Sequence, residues 1–172
     1  MKFLATLWFA VLLAGCAAYS GSGLKPGEAR LGDVLRVMGQ PAMRWQDSAG
    51  SVQLSYPRGP MGDHSYMVYI GPDGKLRRIE NVLDAKHFAR IRPGMTEEEV
   101  ARILGPAEPA WTVYFKARDE LVWEWRYCDE WNELARFNVL FDGNRQTVRS
   151  TLSLTEAQRG LCDGDGSCWC GH

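Results

Sequence analysis

The residues best suited to chemistry crowd the far end of the chain: Cys162, Cys168, Cys170 and His172, with Cys128 upstream. In an oxidising compartment the four cysteines other than Cys16 make an even set, which predicts two disulfides. A bond between Cys168 and Cys170 is disfavoured by their closeness. The expectation is therefore Cys162 paired with Cys168 or Cys170, and Cys128 with the other. The alternative chemistry is metal binding. Three thiolates and an imidazole, from Cys162, Cys168, Cys170 and His172, compose a tetrahedral zinc set, although the C-x-C spacing departs from the usual C-x₂₋₄-C. Asp163, Asp165 and Ser167 imitate the opening of a calcium loop, but Cys168 intrudes before such a loop completes.

Elsewhere the sequence offers no catalytic residue. Asp63-His64-Ser65 holds triad residue types, yet sequence neighbours rarely present triad geometry, and no G-x-S-x-G occurs. This Gly/Pro-rich stretch reads as a connection between strands. His87, beside Phe88, reads as a partly exposed structural residue. Trp123, Trp125 and Tyr127 alternate with Glu124 and Arg126, as on a strand with one face in the core. Trp131 differs: it stands in the polar run DEWNE, where an exposed indole suits partner contact. Asp129, Glu130 and Glu133 read as solvated charges. Twenty Lys/Arg against 21 Asp/Glu, with no basic block, exclude a nucleic-acid binder. No cofactor and no small-molecule substrate are expected, and the chain reads as a non-enzyme.

The N-terminus carries an address. Met1-Lys2 precedes an uncharged run from Phe3 to Leu13, shorter than the roughly 20 apolar residues of a spanning helix. It has the form of an export signal. Leu13-Ala14-Gly15-Cys16 resembles the lipobox of bacterial lipoproteins, which implies cleavage after Gly15 and lipidation of Cys16. Two or more acyl chains hold a protein stably on a membrane. Ala17, where Asp would signal retention in the inner membrane, implies the outer membrane, facing the periplasm.

The elements that position these residues come in two similar series. Lys25-Pro26-Gly27 returns as Arg92-Pro93-Gly94. Asp33–Gly39 returns as Glu99–Gly105 at an offset of 66, and Trp45 matches Trp111 at the same offset. Asp73-Gly74 matches Asp142-Gly143, and Ile79 matches Val148. In the second series Thr96 and Glu99 form a capping box. Val100, Ile103 and Leu104 share a helical face, and Gly105-Pro106 ends the helix. In the first, Val34, Val37 and Met38 play the same part, with a poorer cap at Arg30. Strands are predicted at Met43–Gln46, Val52–Tyr56, Ser65–Ile70 and Leu76–Val82, then at Trp111–Phe115, Leu121–Cys128, Phe137–Phe141 and near Val148. Asp73-Gly74 and Asp142-Gly143 carry the same hairpin signal. A short helix over Leu83–Ile91, with Phe88 and Ile91 inward, joins the series.

The phrase Phe88-Ala89-Arg90-Ile91-Arg92-Pro93-Gly94-Met95-Thr96, continuing through Glu99-Val100 to Leu104-Gly105, resembles the signature of the SmpA/OmlA (BamE-type) outer-membrane lipoproteins. The doubled arrangement is similar to the architecture of the β-lactamase inhibitor protein. The resemblance implies an α+β fold: a tandem repeat of a two-layer unit, short helices packed on one face of an antiparallel sheet. The expected organisation is a signal peptide (1–15), a flexible tether (16–24), a first unit (25–83), a second unit (84–155) and a Cys/Gly-rich tail (156–172). The implied function is a non-catalytic binding or scaffold module in outer-membrane protein assembly or envelope integrity. It would be held to the membrane by lipid on Cys16, with envelope or outer-membrane proteins as partners. Two alternatives are a periplasmic inhibitor of a secreted enzyme and a metal or redox lipoprotein acting through the tail.

Overall fold

A computed structural model describes residues 20–59, 61–162 and 168–171. Cys16, the export signal and His172 lie outside the described residues, as do Asp163, Asp165 and Ser167. The fold is α+β, with two four-stranded antiparallel sheets and short helices. In chain order the elements are α1 (Leu31–Met38), β1 (Met43–Gln46), β2 (Val52–Pro57), β3 (Ser65–Ile70), β4 (Leu76–Asn81), α2 (Ala85–Phe88), α3 (Glu97–Leu104), β5 (Val113–Phe115), β6 (Glu120–Cys128), β7 (Leu134–Asp142) and β8 (Thr147–Thr155). Each sheet is a meander, β1-β2-β3-β4 and β5-β6-β7-β8.

Helix α3 forms where its caps dictate. The Thr96 hydroxyl accepts the N–H of Glu99 at 3.3 Å, and the Glu99 carboxylate accepts the N–H of Thr96 at 2.8 Å. Arg30 has no equivalent hydroxyl to offer α1; Asp33 alone reaches back, accepting the Arg30 N–H at 3.0 Å. Val34 and Met38 of α1 pack with Leu54, Tyr56, Val68, Ile70 and Leu76 of the first sheet. Val100, Ile103 and Leu104 of α3 pack with Trp125, Phe137, Val139 and Phe141 of the second. Phe88, the last residue of α2, stacks on Phe137 at 4.0 Å and meets Tyr127 edge-on. The α1 end is tied down by Tyr56, whose hydroxyl donates to the Gly39 carbonyl; burial pushes this phenol up to about 12, so it stays a neutral donor.

The two sheets meet across α3. Its small Ala101 joins Trp45, Met67 and Val82 in a buried cluster that also takes in Trp123. Gln53 donates to the Arg102 carbonyl, and the Arg102 guanidinium lies over Trp45. Gly105 closes the helix with φ 79°, and an added Cβ would come within 2.5 Å of Ser55 Oγ and 2.8 Å of Ser65 Oγ. Glycine is required there by both backbone and space.

Three expectations are corrected. Trp111 is not in a strand: Glu108 caps and Pro109 pre-sets a 3₁₀ turn over Pro109–Trp111, leaving β5 only Val113–Phe115. The Asp142-Gly143 pair does not make the same turn as Asp73-Gly74. Gly74 is left-handed at φ 76°, whereas in the β7–β8 connection the left-handed residue is Gln146 at φ 54°. There the Asp142 carboxylate accepts the N–H groups of Asn144 and Arg145, which organises a longer turn. His87 is buried, not partly exposed: its Nδ1 lies 2.7 Å from the Asp84 carboxylate.

Candidate interaction surface

The β6–β7 hairpin ends in a tight tip at Asp129–Glu133. The Asp129 carboxylate accepts the N–H of Trp131 at 2.9 Å and of Glu133 at 2.8 Å, and Asn132 turns the chain in the left-handed region at φ 64°. With its backbone so held, Trp131 points into solvent and is 80% exposed. This is the partner-contact position read from the sequence.

The C-terminal segment returns to the same tip. Leu134 N–H donates to the Cys168 carbonyl at 2.7 Å, Cys170 N–H donates to the Asn132 carbonyl at 3.0 Å, and Glu133 pairs with Trp169 in an antiparallel bridge. Two disulfides fix the segment there, Cys128–Cys170 with 5.8 Å between Cα atoms and Cys162–Cys168 with 5.4 Å. This pairing is one of the two that the sequence left open. Trp169, 58% exposed, is thereby presented at the same tip, opposite Glu133. Sequence reasoning passed over Trp169, whose signal was its position between two cysteines. A shallow groove of about 600 Å³ runs from the tip along α2, lined by Phe88, Tyr127, Asp84, Asp129, Glu130 and Trp131.

The zinc set of Cys162, Cys168, Cys170 and His172 is corrected by the same geometry. All three sulfurs are held in disulfides. A disulfide sulfur carries no thiolate charge to give a metal. Among the described residues no group of three or more His, Cys, Asp or Glu side chains is placed to hold an ion.

Asp63 and His64 do associate, with Nδ1 2.6 Å from the carboxylate, and His64 stacks on Tyr66. The Ser65 hydroxyl is buried and has no hydrogen-bond partner among the described residues. The nucleophile–base link of a triad is therefore not formed.

Glu124 and Arg126, on the face of β6 opposite the aromatics, belong to a charged network with little exposure. Glu124, Arg136 and Glu156 are buried, and the Trp111 ring lies 3.8 Å from the Arg136 guanidinium. Arg126 and Arg136 stand directly opposite one another in the ladder. Glu156 neutralises the pair, one carboxylate oxygen accepting from Arg126 Nε at 2.8 Å and Arg136 Nε at 2.7 Å. Glu124 accepts from Arg136 at 3.0 Å and from Arg159 at 2.6 Å. Burial resists ionisation of Glu156, but its two guanidinium partners outweigh that and hold its carboxyl below the usual range. Arg126 also donates to the Met61 carbonyl, tying the β2–β3 loop to the second sheet. The network ties β6 and β7 together just below the tip that carries Trp131.

No family model, no curated protein and no solved structure matches the chain.

Proposed function

We propose that the chain is an outer-membrane-anchored periplasmic lipoprotein that acts by binding, as a scaffold in outer-membrane protein assembly or envelope integrity. The observation that carries the reading is the pair of exposed indoles, Trp131 and Trp169, on a tip braced by two disulfides. Leaving two large apolar rings in water is unfavourable. Holding them rigidly lowers the entropy lost when a partner covers them, and tryptophan is among the residues enriched at the energetic centres of such contacts.

In this reading residues 25–83 and 84–155 are two copies of one two-layer unit, of the SmpA/OmlA kind. Its support is the common order of a capped eight-residue helix ended by glycine followed by a four-stranded meander. Lipid on Cys16 keeps the tip within reach of membrane-bound partners. The test is genetic. Deleting the gene should lower outer-membrane protein levels and raise detergent sensitivity. Wild-type protein should restore both, and a Trp131→Ala/Trp169→Ala variant that accumulates normally should not. A wild-type envelope after deletion refutes the proposal.

A further inference from the structure

We infer that the outer edge of β8 is a docking strand for an extended, uncharged partner segment in which apolar and polar residues alternate. The inference rests on the binding role proposed above and names a second surface for it.

A sheet edge exposes unpaired N–H and C=O groups, and folded proteins normally blunt it with shortness, charge or proline. Three of the four edges here are blunted. Strand β1 has four residues, among them Arg44, and follows Pro41. Strand β4 carries Arg77, Arg78 and Glu80. Strand β5 has three residues, flanked by 3₁₀ turns. Strand β8 is different. It has nine residues, and from Ser150 to Thr155 it holds no charge, proline or glycine. Its single charge, Arg149, is turned back onto Asp142 and the Arg118 carbonyl.

The hydrogen bonds show which groups face outward. At one end the outward N–H and C=O of Val148 are taken by Met95 and Gly94. At the other, the Thr155 N–H donates to the Gln158 side chain and its C=O accepts from Arg159. Outward residues alternate along an antiparallel strand, so Thr151 and Ser153 face out in phase with Thr155. Their outward N–H and C=O groups have no partner among the described residues. All five residues from Arg149 to Ser153 are exposed, so both sides of the strand are open as well as its edge.

The side chains define the occupant. Leu152, 48% exposed, and Leu154 lie on the face shared with Val122 and Leu140, where the charged neighbours are already paired, Arg118 with Glu120 and Arg159 with Glu124. Thr151 and Ser153 lie on the opposite face. An added strand thus meets an apolar flank on one side and hydroxyls on the other. That selects alternating apolar and polar residues, the pattern of a transmembrane barrel strand. Charge is not called for. A second folded copy suits the edge less well, because pairing over a few residues buries far less than the roughly 1,200 Å² of a stable interface. An extended segment needs only strand addition, with backbone bonds for affinity and side-chain pockets for register.

The test uses the oxidised, full-length mature protein and a labelled nine-residue peptide of alternating valine and threonine, with a lysine at each end. Fluorescence anisotropy should show saturable binding. N-methylation of the alternate amides on one edge of the peptide should weaken it at least tenfold, as should a peptide of the same composition with its valines in one block. Thr151→Pro removes one outward donor at a position where an edge strand accepts proline, and should weaken binding equally without lowering the melting temperature. Leu152→Lys, which leaves the backbone intact, should do the same and guards against misfolding of the proline variant. Equal binding of the N-methylated peptide, or no binding by any of them, overturns the inference. So does a dimer in sedimentation that Leu152→Lys abolishes, since a second copy would then be the occupant. If the peptide fails while Trp131→Ala/Trp169→Ala still breaks complementation, the docking strand falls and the binding role stands.

Discussion

Glu156 is the residue on which the second sheet most depends. Without its carboxylate, two guanidiniums face each other across neighbouring strands, and like charges placed opposite destabilise a ladder. Removing one member of a buried ion network costs about 3–5 kcal/mol. Glu156→Gln should therefore lower the unfolding free energy, read by chemical denaturation, by an amount in that range, and more than Glu124→Gln does. A carboxyl held below its ordinary value of 4.5 stabilises the fold fully above the unfolded value. That stabilisation is lost as pH falls through the folded value. Stability should drop on acidification below about 4.5, and the slope should flatten in Glu156→Gln, measured by thermal melts across pH. This network was hard to read from sequence because Glu124 and Arg126 alternate with aromatics like any solvent-facing residues. Only Trp111, leaving its expected strand for a 3₁₀ turn, and the turn after β8 reveal that the face is covered. Trp131, by contrast, was legible from its polar neighbours alone. Trp131→Ala should weaken partner binding by about 2 kcal/mol, roughly 30-fold, with no change in melting temperature.

Among the elements, α3 was the most legible, because Thr96, three glutamates, an apolar face and Gly105 all specify the same boundaries. Tertiary structure adds a reason for Gly105 that no local pattern contains, the closeness of Ser55 and Ser65 to its missing Cβ. Gly105→Ala should cost more than the ~1 kcal/mol of an ordinary backbone substitution, since left-handed strain and collision add together; chemical denaturation measures it. The hairpin tip was legible in its residues and not in its bracing, since cysteine spacing cannot choose between connectivities. Closing a loop of this length with Cys128–Cys170 is worth about 2–4 kcal/mol. Cys128→Ser/Cys170→Ser should lower the melting temperature and open the C-terminal segment to protease, while the β6–β7 hairpin persists.

For the molecule as a whole, a single helix face builds the junction: Ala101 against the first sheet, and Val100, Ile103 and Leu104 against the second. Most of the strands were readable because turn residues bound them; their order in each sheet comes from the structure. The way the sheets join was not, because it depends on small side chains and on Arg102 and Gln53 meeting across them. The outcome is a stiff body that presents braced indoles at one tip and an open strand at one edge. In the proposed function this body works by contact from a membrane anchor. The most direct test places a photocrosslinking amino acid at position 131 of the lipidated protein in living cells. The account predicts an adduct with an outer-membrane protein or an assembly factor, lost when Trp169 is also changed to Ala. An adduct with a single soluble secreted enzyme, or no adduct from a properly localised protein, contradicts it.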